Sequence, residues 1–182
     1  MWLMTGVFVL AALLASASAW AQEDRPYFGI GAGTAALSGC PMCQGGDSAL
    51  KLMAGYQFTP RFALEFAYSD FGTVTLRDPR FGFTDTWHVS TTEASAIGTW
   101  PLGEGVAFQA RGGVYGTLIA RSSFASFSSS SDGWQPDGTG VTFGTGLRFR
   151  MSERTLLRFE WQRFNQLSID VFSLNLVFFP GD

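Results

Sequence analysis

From Tyr27 onward, apolar and polar side chains alternate with a period of two. Successive side chains of a β-strand point to opposite faces, so this pattern predicts strands with one apolar and one polar face. For example, Phe62, Leu64 and Phe66 share one face, whereas Glu65 belongs to the other. Eight such strands are predicted, near residues 27–37, 49–58, 61–70, 87–100, 105–118, 138–151, 155–165 and 168–179.

The connections between these segments alternate in length. Short ones are expected near 59–60, 102–104 and 152–154 and long ones near 38–48, 71–86 and 119–137, with a short last one near 165–167. Short turns at one end and long loops at the other are typical of up-and-down antiparallel barrels. The expected fold class is therefore all-β, an eight-stranded antiparallel up-and-down transmembrane β-barrel with both termini at the short-turn end.

The choice of a transmembrane barrel rests on where the apolar face points. A soluble β-sandwich or a lipocalin-like barrel buries that face. The rows of Phe and Leu would overfill an eight-stranded barrel, whose interior is just wide enough for side chains. Turned toward lipid they are well placed, and a closed barrel satisfies every backbone hydrogen bond, as a bilayer requires.

The first 21 residues differ from the rest of the chain. They carry no charged side chain, and an apolar run near 6–14 is followed by Ala19-Trp20-Ala21. An apolar run that ends in an A-x-A sequence is typical of a secretion signal. We expect residues 1–21 to be a cleavable signal peptide and residues 22–182 to form the barrel domain. The alternative is a retained N-terminal anchor helix, for which the run is short.

Composition narrows the function classes. Charged residues make up 15% of the chain and aromatic residues another 15%, a mixture that suits membrane strands better than a soluble α/β enzyme. The net charge of −3 and the absence of a basic cluster in the sequence disfavour nucleic acid as a partner. No cofactor is expected.

The charged residues of the polar faces are expected to meet inside the lumen. By parity they form an interior ion-pair network of Lys51, Glu65, Glu93, Arg111, Arg148, Arg158 and Glu160. Single buried charges are costly, so these side chains are expected to pair. We interpret the network as a salt-bridge plug that fills and stiffens the barrel. The alternative is a gate, in which exchange of ion-pair partners opens a narrow water path.

Cys40 and Cys43 form a C-x-x-C pair in the first long connection. Such a pair can be a disulfide, a redox motif or half of a zinc site. Zinc needs two more ligands, and His88 is the only histidine of the chain. A redox motif normally lies at a helix N-terminus, which is not predicted here. Because oxidation is favoured outside the cytoplasm, we predict a structural Cys40–Cys43 disulfide and no metal site.

Four stretches resemble the OmpA-like transmembrane barrel family. They are residues 54–65 (AGYQFTPRFALE), 95–102 (SAIGTWPL), 142–149 (TFGTGLRF) and 157–164 (LRFEWQRF). The resemblance implies an integral, multi-pass barrel of a Gram-negative outer membrane, with both termini in the periplasm. It also implies roles in envelope integrity, adhesion or narrow-pore conduction.

We therefore expect a non-enzymatic, monomeric outer-membrane barrel that supports the envelope and displays outside loops for interaction. The expected partners are outer-membrane lipid and lipopolysaccharide, the outer-membrane assembly machinery, and host or envelope proteins at the outside loops. The alternative function is a narrow, weakly selective pore.

A more distant alternative is a lipid A-modifying enzyme. Lipid A deacylases are barrels that use His, Ser and Glu on the barrel wall, and His88-Val89-Ser90 places a His and a Ser on one strand face. Glu93 has the opposite parity, so the third group that orients the His is missing. We interpret His88 as a residue of the membrane rim beside Trp87.

Overall fold

The structure, a computed structural model, describes residues 25–37, 43–45, 48–77, 84–121 and 138–180. Within these residues, no helix is long and apolar enough to cross a membrane. The strands of the described residues are β1 (Arg25–Leu37), β2 (Cys43–Gly45), β3 (Ala49–Thr59), β4 (Phe62–Arg77), β5 (Thr84–Gly103), β6 (Val106–Arg121), β7 (Thr139–Arg150), β8 (Thr155–Phe164) and β9 (Ile169–Phe178).

Eight of these strands close into a barrel. Their order around the wall is β4–β3–β1–β9–β8–β7–β6–β5, and β5 pairs back onto β4. Each pairing is antiparallel. The predicted eight-stranded antiparallel barrel is confirmed. Closure leaves no open sheet edge in the wall, so the strands satisfy one another's backbone groups all around the barrel.

The two ends of the barrel differ. We call the end that carries the short connections β3–β4, β5–β6 and β7–β8 the turn end, and the opposite end the loop end. The first described residue, Arg25, and the last, Pro180, both lie at the turn end because the barrel has an even number of strands. At the loop end, β8 and β9 are joined by a turn at residues 165–168. The predicted short connections at the turn end and the predicted short last connection at the loop end are thus present.

Strands β4, β5 and β6 extend further at the loop end than the sequence pattern predicts. β4 runs to Arg77 and β5 begins at Thr84, so most of the loop expected at 71–86 is strand, and that prediction was wrong. β6 likewise continues to Arg121. In addition, β2 lies within the connection expected at 38–48 and pairs with the far part of β4.

A β-bulge explains why the sequence pattern stopped too early. The register of β4 with β5 shifts between Asp70 and Thr73, where β4 has one residue more than its neighbour. Such an insertion reverses the alternation of faces along the strand. Gly72 has a φ of 70°, and its N–H donates to Oδ1 of Asp70 at 2.8 Å, which holds the bulge.

The outer surface of the barrel is apolar, and the buried charged side chains of the strands point into the lumen. On β8, Phe159 is 51% exposed, whereas the adjacent Arg158 and Glu160 are 4% and 3% exposed. The prediction that the apolar face points outward is therefore confirmed. Large apolar side chains that remain exposed are Phe28, Ile30, Leu50, Leu52, Tyr56, Phe58, Phe62, Leu64, Phe66, Tyr68, Leu102, Val114, Leu118, Val141, Phe143, Leu147, Met151, Phe159, Phe172, Leu174 and Phe178.

Candidate functional site

The lumen is built in three layers. The loop-end cluster is apolar and consists of Ala35, Ala49, Phe71, Val89, Tyr115, Phe164, Leu167, Ile169 and Val171. The turn-end cluster is apolar apart from the tyrosine hydroxyl and consists of Tyr27, Met53, Ala63, Ala67, Ile97, Leu156, Val177 and Phe179. The buried polar side chains of Gln57, Thr99, Gln109 and Arg148 lie beside this cluster. Between the two clusters lies the central charge layer, whose side chains are each at most 5% exposed: Lys51, Glu65, Glu93, Arg111, Arg158, Glu160 and Gln162.

Arg111 is the centre of the charge layer because it contacts all three carboxylates. Its Nη1 lies 3.2 Å from Oε1 of Glu65 and also donates to Glu160, and its Nη2 donates to Glu93. The neighbouring inward position on β7 is Gly144, and a Cβ there would lie 3.3 Å from Cγ of Arg111. The glycine therefore leaves room for the stem of the arginine.

Lys51 and Gln162 join the opposite walls of the barrel. Nζ of Lys51 lies 3.5 Å from Oε1 of Glu93 and 3.7 Å from Oε2 of Glu160, and it donates to Oε1 of Gln162 at 2.9 Å. The amide nitrogen of Gln162 in turn donates to Glu93 and, at 2.8 Å, to Oγ1 of Thr142. Gln162 lies two residues after Glu160 on β8 and therefore points to the same face of the strand. The alternation along β8 could have added it to the predicted network.

Arg158 binds Glu65 near the turn-end cluster. Its Nη2 lies 2.7 Å from Oε2 of Glu65, and the same oxygen accepts a hydrogen bond of 3.0 Å from the hydroxyl of Tyr27. Sequence reasoning missed Tyr27, since an aromatic residue at the start of a strand gave no sign that its hydroxyl would serve a buried carboxylate.

Arg148 is the one predicted network residue that lies outside the central charge layer. It is 8% exposed at the turn end, where its Nη1 donates to Oγ1 of Thr99 at 3.4 Å. Parity predicts that Arg148 points inward, and the structure places it there. Parity does not give the height of a residue along the barrel axis, which separates Arg148 from the other six.

The central charge layer is electrically balanced. Its three cationic side chains face three carboxylates, so the formal charges cancel within the layer. Buried charges are tolerated when they are paired and when their remaining polar atoms are hydrogen-bonded. Among the described residues, no group of three or more His, Cys, Asp or Glu side chains is arranged to hold a metal ion. The arrangement is therefore suited to filling and locking the lumen.

Comparison with known proteins identifies the family. Residues 7–178 match the model of the outer membrane protein beta-barrel domain. The chain belongs to this family. No curated protein sequence matches the chain.

Several solved outer-membrane barrels have a similar fold. Neisserial surface protein A is 12% identical with a TM-score of 0.55, and the match covers 84% of this chain and 96% of that one. The N-terminal β-barrel domain of Pseudomonas aeruginosa OprF is 17% identical with a TM-score of 0.53, covering 87% and 100%. Ail of Yersinia pestis, solved with the heparin analogue sucrose octasulfate, is 13% identical with a TM-score of 0.51, covering 87% and 99%. At these identities the similarity concerns the fold.

As an outer-membrane protein, the barrel turns its apolar wall toward lipid, and a polar pair marks the loop-end edge of that wall. Nε2 of His88 lies 3.2 Å from Oδ2 of Asp70 across strands β5 and β4. Glu93 points into the lumen, as its parity predicts. Ser90 directs its hydroxyl to the carbonyl oxygen of Leu118 at 3.2 Å rather than to His88. His88 and Asp70 thus form a rim pair without a serine bound to the imidazole.

Two predictions concern residues that lie wholly or partly outside the part of the chain that the structure describes. The signal peptide expected at residues 1–21 and Cys40 lie outside the described residues, and of Cys43 only the backbone in β2 is described. The signal peptide and the Cys40–Cys43 disulfide therefore stay predictions.

Proposed function

We propose that this protein is a non-enzymatic, closed outer-membrane barrel of the OmpA-like kind, which supports envelope integrity and displays its loop end for interaction. The observation that carries the proposal is the layered lumen. A balanced charge layer lies between two apolar clusters, so the interior serves as filling and the loop end is left as the surface for function.

The packing of the loop-end cluster supports a closed barrel. The ring of Phe164 contacts those of Phe71 and Tyr115 edge to face, each at a centroid distance of 5.1 Å. Phe71 and Phe164 have no exposed surface. Leu167 adds its backbone N–H, which donates to the hydroxyl of Tyr115 at 3.2 Å. A water molecule moving along the axis meets this apolar layer just inside the loop end.

The turn end is also closely filled. The rings of Tyr27 and Phe179 lie 5.5 Å apart at their centroids. The cavity beside them, lined in part by Gln109 and Arg148, has a volume of about 20 Å³, close to the space that one water molecule needs. A continuous water path requires more room than this cavity offers, so the filling of the turn end favours a closed barrel over a pore.

The asymmetric loop end supports a role in display. Beyond the bulge, β4 and β5 stay paired from Thr73↔His88 to Arg77↔Thr84. β6 continues beside β5 to Arg121, and β2 adds a short strand on the other side of β4. On the opposite wall, β8 and β9 end at a tight turn. Beyond the bulge, β2, β4, β5 and β6 thus form a four-stranded sheet that extends past one side of the barrel. This sheet is the proposed binding surface for host or envelope proteins.

The proposed orientation rests on the predicted signal peptide. A chain exported behind residues 1–21 leaves its mature N-terminus in the periplasm, so the turn end faces the periplasm and the loop end faces outward. Short periplasmic turns and longer outside loops are the usual asymmetry of outer-membrane barrels. Assembly by the outer-membrane machinery, contact with lipopolysaccharide and a monomeric state belong to the same proposal.

The second candidate function is a narrow, weakly selective pore. It is favoured by the position of Arg111 between three carboxylates, because a cation with several acceptors can exchange partners as a gate requires. The two apolar clusters oppose it, since ion-pair exchange in the middle layer leaves both of them in place. The lipid A-modifying alternative receives no support from Ser90, whose hydroxyl is bound to a backbone carbonyl.

Cells that make or lack the protein test the proposed role. Without it, we expect greater sensitivity to vancomycin and to detergent, and restoration by the wild-type protein. A variant whose residues 78–83 are replaced by a Gly/Ser segment of equal length should restore resistance but lose binding to host or envelope proteins. If absence of the protein changes neither sensitivity nor binding, the proposed function is wrong.

A further inference from the structure

A small, partly open space lies at the turn end of the lumen. Its volume is about 20 Å³, slightly above the roughly 10–15 Å³ that holds a single water-sized particle. The polar side chains that line it are Gln57, Thr99, Gln109, Arg148 and Arg158, with the rings of Tyr27 and Phe179 beside them. Phosphate and sulfate have five heavy atoms and do not fit, so the space admits a monatomic ligand or one water molecule.

The lining is rich in hydrogen-bond donors and positive charge. Two guanidinium groups contribute to it, and none of its lining residues is acidic. Arg148 donates to Thr99 through Nη1, and Arg158 donates to Glu65 through Nη2. Glu65 also accepts from Tyr27 and lies 3.2 Å from Arg111, so its charge is already shared in the layer above.

Two buried donors next to this space have no acceptor within the described residues. They are Nε2 of Gln109 and Nε of Arg158, on side chains whose residues are 2% and 4% exposed. Buried N–H groups are nearly always hydrogen-bonded, because an unmade bond leaves the cost of desolvation uncompensated. The site therefore needs an acceptor, and both Gln109 and Arg158 line the space that could hold it.

We infer that this space binds a single chloride ion at the turn end of the lumen. A chloride ion accepts hydrogen bonds from several N–H donors at once and carries the negative charge that a pair of nearby guanidinium groups attracts. Water also accepts hydrogen bonds, but it brings no charge and requires acceptors for its own two protons. The ion occupies the space between Gln109 and the arginines and completes the filling of this end of the barrel.

Bromide provides the direct test, because it replaces chloride and scatters anomalously. Crystals of the folded full-length protein, grown with sodium bromide in place of sodium chloride, are measured at the bromine absorption edge. We expect an anomalous peak in the space between Gln109 and Arg158. A structure without that peak, in which the space holds water or nothing, overturns the inference.

Unfolding temperatures in detergent micelles supply a second, independent measurement. At equal ionic strength, sodium chloride should raise the unfolding temperature relative to sodium gluconate, whose anion is too large for the space. The Gln109→Leu variant should lose this difference. Gln166→Leu, the same change at an exposed position of the β8–β9 turn, should keep it. A difference that persists in Gln109→Leu contradicts binding at this site, as does equal stabilisation by the two salts.

Discussion

Arg111 on β6 donates to Glu160 on β8 across the whole width of β7. The inward positions of β7 beside these two residues are both glycine: Gly144 pairs with Arg111, and Gly146 pairs with Glu160. The missing side chains let a guanidinium and a carboxylate from non-adjacent strands meet in the lumen. The glycines of β7 are thus part of the central charge layer, although they carry no charge.

Replacing Gly144 with Val should weaken the barrel. A Cβ at this position would lie 2.4 Å from the backbone oxygen of Trp161 and 3.3 Å from Cγ of Arg111, so the wall and the arginine must both shift. Overpacking of this kind costs about 2 kcal/mol in the free energy of unfolding. Urea unfolding in micelles, followed by tryptophan fluorescence, measures this loss in the free energy of unfolding. Gly112→Val is the control, since a Cβ there meets nothing within 4 Å; equal losses would contradict the account.

The Glu160→Gln variant should be less stable than the wild type. The change removes one of three charges that face Lys51 and Arg111 and leaves the layer with an excess positive charge. Breaking one side of a buried ion pair costs about 3 kcal/mol. The same unfolding measurement applies, with Glu104→Gln, at an exposed turn-end position, as the control. An unfolding midpoint shared by wild type and Glu160→Gln would show that the ion pairs do not hold the lumen.

Phe71 should contribute more to stability than a lipid-facing phenylalanine on the same strand. Phe71 is fully buried against Phe164, whereas Phe66 is 57% exposed on the outer wall. Phe71→Ala leaves a cavity in the loop-end cluster and is expected to cost about 3 kcal/mol. Phe66→Ala, where lipid or detergent fills the vacated space, should cost less. A larger loss in the free energy of unfolding for Phe66→Ala than for Phe71→Ala would show that packing in the loop-end cluster does not stabilise the barrel.

The predicted Cys40–Cys43 disulfide is tested by thiol labelling of the folded protein. Without reductant, a maleimide reagent should leave the protein unlabelled, because the chain contains only these two cysteines and both are expected to be oxidised. After reduction, both should react, and mass spectrometry counts the added groups. Strong labelling of the native protein before reduction would mean that the thiols are free.

The sequence predicted the barrel well where the alternation is unbroken. On β8 and β9, the period of two runs from Thr155 to Phe178 with a single turn between. The predicted and observed strands begin at the same residue in β8 and differ by one residue at the other three ends. Along β4 the alternation reverses at the bulge after Asp70, so the continuation to Arg77 looked like loop. An inserted residue shifts the apolar positions to the other parity, so a single period of two cannot predict the strand on both sides of the bulge.

The sequence predicts which residues point into the lumen but does not predict which of them contact each other. Parity places Arg111 and Glu160 on the inner face, but their contact depends on the register between strands, which the one-strand pattern does not contain. The same limit separates Arg148 from the central charge layer. It also hid the contact of His88 with Asp70, because the bulge lies between that carboxylate and the cross-strand position of His88.

Single-channel conductance of the folded protein in a planar bilayer, beside its Glu160→Gln variant, tests the claim of a closed lumen most directly. We expect no steady openings from either protein, because the loop-end and turn-end clusters remain in place when the middle layer is altered. Steady openings of the wild type whose amplitude or frequency changes in Glu160→Gln would contradict the account and would make the central charge layer a gate.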